Sequence, residues 1–92
     1  MKSLKPSHRE KKRYLLLWGK DTSKENIERA ILDYIGVLGF AKASPQIVKK
    51  TSKGIIIAIN RQELDKIRAS FLMSGKDIQV KKVSGAIVNV KN

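Results

Sequence analysis

Hydrophobic residues recur along this chain with two different spacings. Arg13–Trp18 (RYLLLW) is a short apolar run bounded by charge and by Gly19, which predicts a buried strand. Thr22-Ser23-Lys24-Glu25 then offers a capping box. Behind it Ile27, Ala30, Ile31, Tyr34, Ile35 and Leu38 form a helical stripe, closed by Gly39. Ser44-Pro45 marks a turn. Gln46–Thr51 and Ile55–Ile59 read as strands joined by a tight turn at Ser52-Lys53-Gly54. Asn60 is placed to cap a second helix, with Glu63 as its reciprocal partner and Leu64, Ile67, Phe71 and Leu72 as its stripe. Gly75 ends that helix. Asp77–Val90 reads as a last strand region, with a bulge or bend at Ser84-Gly85. The predicted class is α+β: a ferredoxin-like βαββαβ two-layer sandwich with a four-stranded antiparallel sheet. Residues 1–12 read as a basic flexible arm, and residues 13–90 as one domain.

The two strands that this topology makes central are apolar at consecutive positions, Tyr14–Trp18 and Ile55–Ile59. Successive strand residues face opposite sides, and two helices cover only one. Leu15, Leu17, Ile55 and Ile57 are therefore assigned to a face that needs a cover. The cover is a partner protein, or else the arm or C-terminal tail.

Charge changes the picture most. The chain carries twenty Lys+Arg against eight Asp+Glu, a net charge of +12. A field of that size on a small body attracts polyanions, nucleic acid first. Residues 1–14 sum to +5 and residues 40–54 to +4, whereas residues 23–39 sum to −1. The arm, strands and loops carry the excess. With no cysteine there is neither a disulfide nor a thiolate metal site. No apolar run approaches the ~18 residues of a membrane span, and the N-terminus lacks a signal-peptide core. The expected location is cytoplasmic, with no membrane contact.

Catalytic chemistry finds little support. The one histidine, His8, lies in the arm. Asp33 has no paired acid, and no cluster has metal-ligand spacing. An acylphosphatase would need an arginine in the glycine-rich loop after the first strand; Gly19-Lys20-Asp21-Thr22 has none. RNA-recognition sheets stack bases on aromatic residues of the third strand, where this chain has Ile55 and Ile57. The topology is thus RRM-like without the stacking aromatics, and the expected RNA contacts go to the backbone.

Several cations are candidates for those contacts. Lys49, Lys50 and Lys53 lie on or beside one edge strand, and Lys81 and Lys82 on the other, where lysines also block edge pairing. Lys11, Lys12 and Arg13 lead directly into a buried strand. Arg61 and Arg68 fall seven apart in the second helix, close to one face.

The chain resembles the archaeal and eukaryotic ribonuclease P protein component 2 family, over nearly its whole length. The likeness rests on Arg9-Glu10-Lys11-Lys12-Arg13-Tyr14-Leu15, on Leu38-Gly39-Phe40-Ala41-Lys42-Ala43 with Pro45, and on Gly54-Ile55-Ile56 with Asn60-Arg61. It continues in Ile67-Arg68-Ala69-Ser70 and Val83-Ser84-Gly85-Ala86-Ile87. The resemblance implies a non-catalytic protein subunit of the ribonucleoprotein that removes the 5′ leader of precursor tRNA. RNA does the chemistry there, with Mg²⁺ expected for the RNA and no cofactor bound by the protein. It implies a hetero-oligomer with the barrel-like component 3, in one or two copies per assembly. It places Lys12, Arg13, Lys42, Arg61 and Arg68 at basic positions of the family pattern. Ala86 departs from a usual threonine, and Val88 from a frequent base. Two other readings remain open on sequence grounds: a general basic RNA-binding protein of ribosomal type, and a metabolite-sensing domain of the same strand order.

Overall fold

The computed structural model describes residues 12–86. In chain order these form β1 (Lys12–Trp18), α1 (Lys24–Ala43), β2 (Gln46–Lys50), β3 (Ile55–Asn60), a 3₁₀ turn (Arg61–Glu63), α2 (Leu64–Met73) and β4 (Gln79–Ser84). The strands make one sheet in the order β2-β3-β1-β4, with every neighbouring pair antiparallel. The first and third strands are central, as the apolar runs require. The expected arm and the end of the last strand region, with Lys11 and Val88, lie outside the described residues.

Both helices cover the same face of the sheet. Leu15 and Leu17 from β1, and Ile55, Ile57 and Ile59 from β3, form the main core with Ile27 and Ile31 of α1 and Ile67 and Phe71 of α2. Burying each such side chain contributes about 1.5–3 kcal/mol. The opposite face carries a second, smaller cluster of Leu16 and Ile56, against which Tyr14 and Trp18 pack. The four residues expected on the uncovered face, Leu15, Leu17, Ile55 and Ile57, therefore sit under the helices instead. An apolar residue at every position leaves the parity of the strand undetermined, and a one-residue shift exchanges the faces.

Local details also depart from the sequence reading. The cap of α1 is Ser23, whose Oγ accepts from the Asn26 amide at 3.2 Å, while Asn26 Nδ2 donates to the Asp21 carbonyl at 2.9 Å. The capping pair is thus Ser23 and Asn26, one residue on from Thr22 and Glu25. Gly39 does not end the helix. The helix breaks at Gly36, whose φ of 76° lies in the left-handed region, and resumes to Ala43. The break resets the phase of the stripe: Ala43 is buried and Phe40 joins the core, whereas Leu38 is 80% exposed. Asn60 makes no capping bond; its Nδ2 donates to the carbonyl of Lys42 and ties β3 to the last turn of α1. Arg61 belongs to the 3₁₀ turn, so it and Arg68 do not share one continuous helix.

Two loops at the far end of the sheet are clipped together. The Asp21 amide donates to the Asp77 carbonyl at 3.2 Å, and the Asp77 amide donates to Asp21 Oδ2 at 2.7 Å.

Candidate nucleic-acid interface

No strand of the sheet contains an acidic residue. The strands carry Lys12, Arg13, Lys49, Lys50, Lys81 and Lys82. In α1, by contrast, Lys24, Arg29 and Lys42 balance Glu25, Glu28 and Asp33. The excess charge is therefore a property of the sheet and its ends.

Register decides which cations share a face. Lys49 pairs with Ile56, Ile56 with Leu16, and Leu16 with Lys82, so one row across the sheet has a lysine at each end. Tyr14 pairs with Ala58 and Ser84 in the next row, and Lys12 faces Asn60 beyond it. All of these lie on the face away from the helices. Arg13 and Lys50 pair with Ile59 and Ile55, which puts them at the helix-side rim. Arg13 Nη1 donates to the Lys12 carbonyl at 2.9 Å.

Two clusters of cations stand at opposite ends of the sheet. At one end, Lys12 is opposite Asn60, Arg61 follows Asn60, and the Asn60 side chain holds the backbone of Lys42. Three candidates far apart in sequence thus meet at one corner, with Arg13 beside them. At the other end a cleft of about 360 Å³ is lined by Thr22, Ser23, Lys24, Lys50, Lys53 and Gly54. It combines three ammonium groups with the positive N-terminal end of α1, an arrangement that favours phosphate. Lys24 is not among the sequence candidates: it reads as an ordinary exposed helix residue until the β2–β3 turn is placed beside it.

Arg68 stands apart from both clusters. It is exposed and lines a cleft of about 210 Å³ with Phe71, Leu72, Ile78, Gln79 and Val80, between α2 and β4. Lys11 lies outside the described residues. Among the described residues no group of three His, Cys, Asp or Glu is placed to hold a metal, and no helix is long and apolar enough to cross a membrane.

The helical layer offers a different surface. Val37, Leu38, Leu72 and Met73 are each more than two-thirds exposed, at 76, 80, 85 and 71%. Tyr34 and Met73 line one shallow cavity between α1 and α2.

A four-stranded antiparallel sheet, two helices on one face and an excess of cations on the strands and their ends define a small, basic α+β protein. Comparison with known proteins gives the family. No family model matches the chain. A ribonuclease P protein component 2 from Pyrococcus furiosus is 36% identical over 105 residues, covering 98% of this chain and 88% of that protein. Proteins of the same name from two strains of Methanococcus maripaludis are 32% and 29% identical, each covering all of this chain and 75% of its relative. The chain belongs to the ribonuclease P protein component 2 family, as its sequence resemblance implied.

Proposed function

We propose that this chain serves ribonuclease P as a counter-charge subunit, holding fixed cations against the catalytic RNA during removal of the 5′ leader from precursor tRNA. The observation that carries the reading is the segregation of charge: Lys12, Lys42 and Arg61 at one end of the sheet, Lys24, Lys50 and Lys53 at the other, and no carboxylate on any strand. Folded RNA packs phosphates closely, and Mg²⁺ screens them. Cations fixed by a rigid sheet lower that repulsion and with it the Mg²⁺ that the RNA requires. The protein holds no cofactor in this scheme and makes or breaks no bond. Its location would be the cytoplasm, where precursor tRNA is processed in a cell without a nucleus.

Pairing with component 3 is the second half of the proposal. A ferredoxin-like arrangement leaves the outer surface of the helices free for a partner. The exposed Val37, Leu38, Leu72 and Met73 on a layer of nearly balanced charge suit a protein rather than a polyanion. This moves the partner surface from the sheet to the helices. Leu38→Asp with Leu72→Asp should abolish co-elution with component 3 while leaving the circular dichroism spectrum unchanged. Co-elution that survives both substitutions contradicts this placement. RNA binding is tested by the salt dependence of affinity for the catalytic RNA: about five neutralised phosphates give a log–log slope of order −4, and a slope near zero defeats the reading.

A further inference from the structure

We infer that the face of the sheet away from the helices is a stacking site for unpaired nucleotides, built on Tyr14 and Trp18. The expectation of no stacking aromatics concerned β3, where Ile55 and Ile57 turn out to face the helices. The rings come from β1 instead. Tyr14 and Trp18 both project from the face away from the helices, four residues apart on a central strand. At about 3.3 Å per residue their attachment points are about 13 Å apart. Leu16 and Ile56 lie between them, 3% and 0% exposed, and give the rings a dry apolar floor. Tyr14 and Trp18 are each half-buried, so each residue keeps part of its surface accessible.

The surroundings select the ligand. Lys49 and Lys82 end the row that crosses the floor, Lys12 lies beyond Tyr14, and Lys81 places its Nζ 4.8 Å from the Trp18 ring centroid. A face with aromatic rings at its centre, cations at its margins and no carboxylate on its strands complements a single strand. Bases stack on the rings and phosphates meet the lysines. A protein partner has the apolar, charge-balanced helical layer. Trp18 Nε1 has no hydrogen-bond partner among the described residues. Packing and Lys81 therefore hold the indole, and a base can take the place of the ammonium, which moves to the phosphate. The inference draws on the proposed function only in taking RNA as the ligand.

Trp18 is the sole tryptophan of the chain, so it reports on its own site. The test titrates the full chain with an unstructured eight-nucleotide oligo(A) and with an RNA duplex of equal phosphate number, following Trp18 emission and the anisotropy of labelled RNA. Saturable quenching by oligo(A), with the duplex binding but quenching far less, is the expected result. Tyr14→Leu keeps an apolar side chain on Leu16 and removes the ring. It should weaken oligo(A) binding about five- to 150-fold, the loss of one stacked base, and leave duplex binding unchanged. Equal affinity of the folded Tyr14→Leu protein and the parent for oligo(A), or oligo(A) binding without quenching, overturns the inference. So does component 3 blocking oligo(A) while shifting Trp18 emission to the blue, which would make this face a protein-docking surface. Ribonuclease P activity reads out the proposed function separately: quenching by oligo(A) without support of precursor-tRNA cleavage defeats that function and leaves the stacking site standing.

Discussion

Lys81 sits over Trp18 because β4 slips register against β1. Leu16 pairs with Lys82 and Leu17 with Val80, so Lys81 is the extra residue of a bulge. Bulges re-aim a side chain, and here the ammonium is turned onto an indole that its strand partner Gln79 could not cover with charge. Lys81→Ala should cost about 0.5–1 kcal/mol in chemical denaturation and change the emission of Trp18 in the folded state. Lys81→Arg should preserve both. An unchanged emission spectrum in Lys81→Ala would show that the ammonium does not hold this position in solution.

Gly54 and Gly36 should respond differently to the same substitution. A Cβ on Gly54 would lie 2.0 Å from the Leu17 carbonyl oxygen and 2.8 Å from Trp18 Cδ1, in the closest packing between the β2–β3 turn and β1. The backbone on both sides is fixed by the sheet, so Gly54→Ala should cost at least the 1–3 kcal/mol usual for overpacking. A Cβ on Gly36 meets nothing within 4 Å, and only its φ of 76° resists substitution. Gly36→Ala should therefore cost about 1–2 kcal/mol, less than Gly54→Ala, measured by thermal or urea unfolding.

Asp77 supplies a pH dependence with a definite sign. The Lys20 amide donates to its Oδ2 at 3.0 Å and Gln79 Nε2 to its Oδ1 at 3.1 Å. The Lys20 amide bond foremost, then Gln79 and the Lys20 charge, hold its carboxyl below the ordinary aspartate range, while burial opposes this only in part. A carboxylate whose pKa is lowered on folding stabilises the fold above its unfolded pKa, about 3.9. That contribution is lost as pH falls through the lower folded value. A carbon-detected NMR titration should place Asp77 below the ordinary aspartate value, and Asp77→Asn should flatten the acid limb of the stability curve. Titration of Asp77 above the ordinary value would contradict the hydrogen bonds that its carboxylate accepts from the Lys20 amide and Gln79.

The corner made by Lys42 and Arg61 separates charge from stability. Both side chains are exposed, so Lys42→Ala and Arg61→Ala should each change stability by under about 0.5 kcal/mol. If each contacts one phosphate, each should make the log–log salt slope for the catalytic RNA less negative by about 0.9. Arg68→Ala should combine a loss of RNA affinity with lost cover for Phe71 and Ile78, beside which it stands, so that its stability falls more than in the first two variants. Salt slopes identical to the parent in the first two variants would remove this corner from the interface.

How much of this was legible in the sequence depends on the kind of information each feature needs. The strand order followed from local patterns: Leu15–Leu17 and Ile55–Ile59 can only be central strands, and Lys49, Lys50 and Lys82 suit edges. The parity of those strands did not follow, because apolar residues at every position carry no period-two signal. Only the register of Leu16 with Ile56 and Lys82 fixes it. The same ambiguity hid Tyr14 and Trp18 as a pair on one face. Gly36 broke a stripe that looked continuous through Leu38, since a glycine inside a helical pattern does not announce a positive φ. Asn60 had the local grammar of a cap, yet the Lys42 carbonyl, brought near by the fold, is what it binds. The basic candidates were found by residue type; their grouping at the two ends of the sheet is tertiary.

The most direct measurement is precursor-tRNA cleavage by the catalytic RNA at limiting Mg²⁺, comparing RNA alone, RNA with this chain, and RNA with this chain and component 3. The account predicts cleavage only when both proteins are present, at a Mg²⁺ concentration where the RNA alone is inactive. No change in any mixture, with both proteins folded, would contradict it.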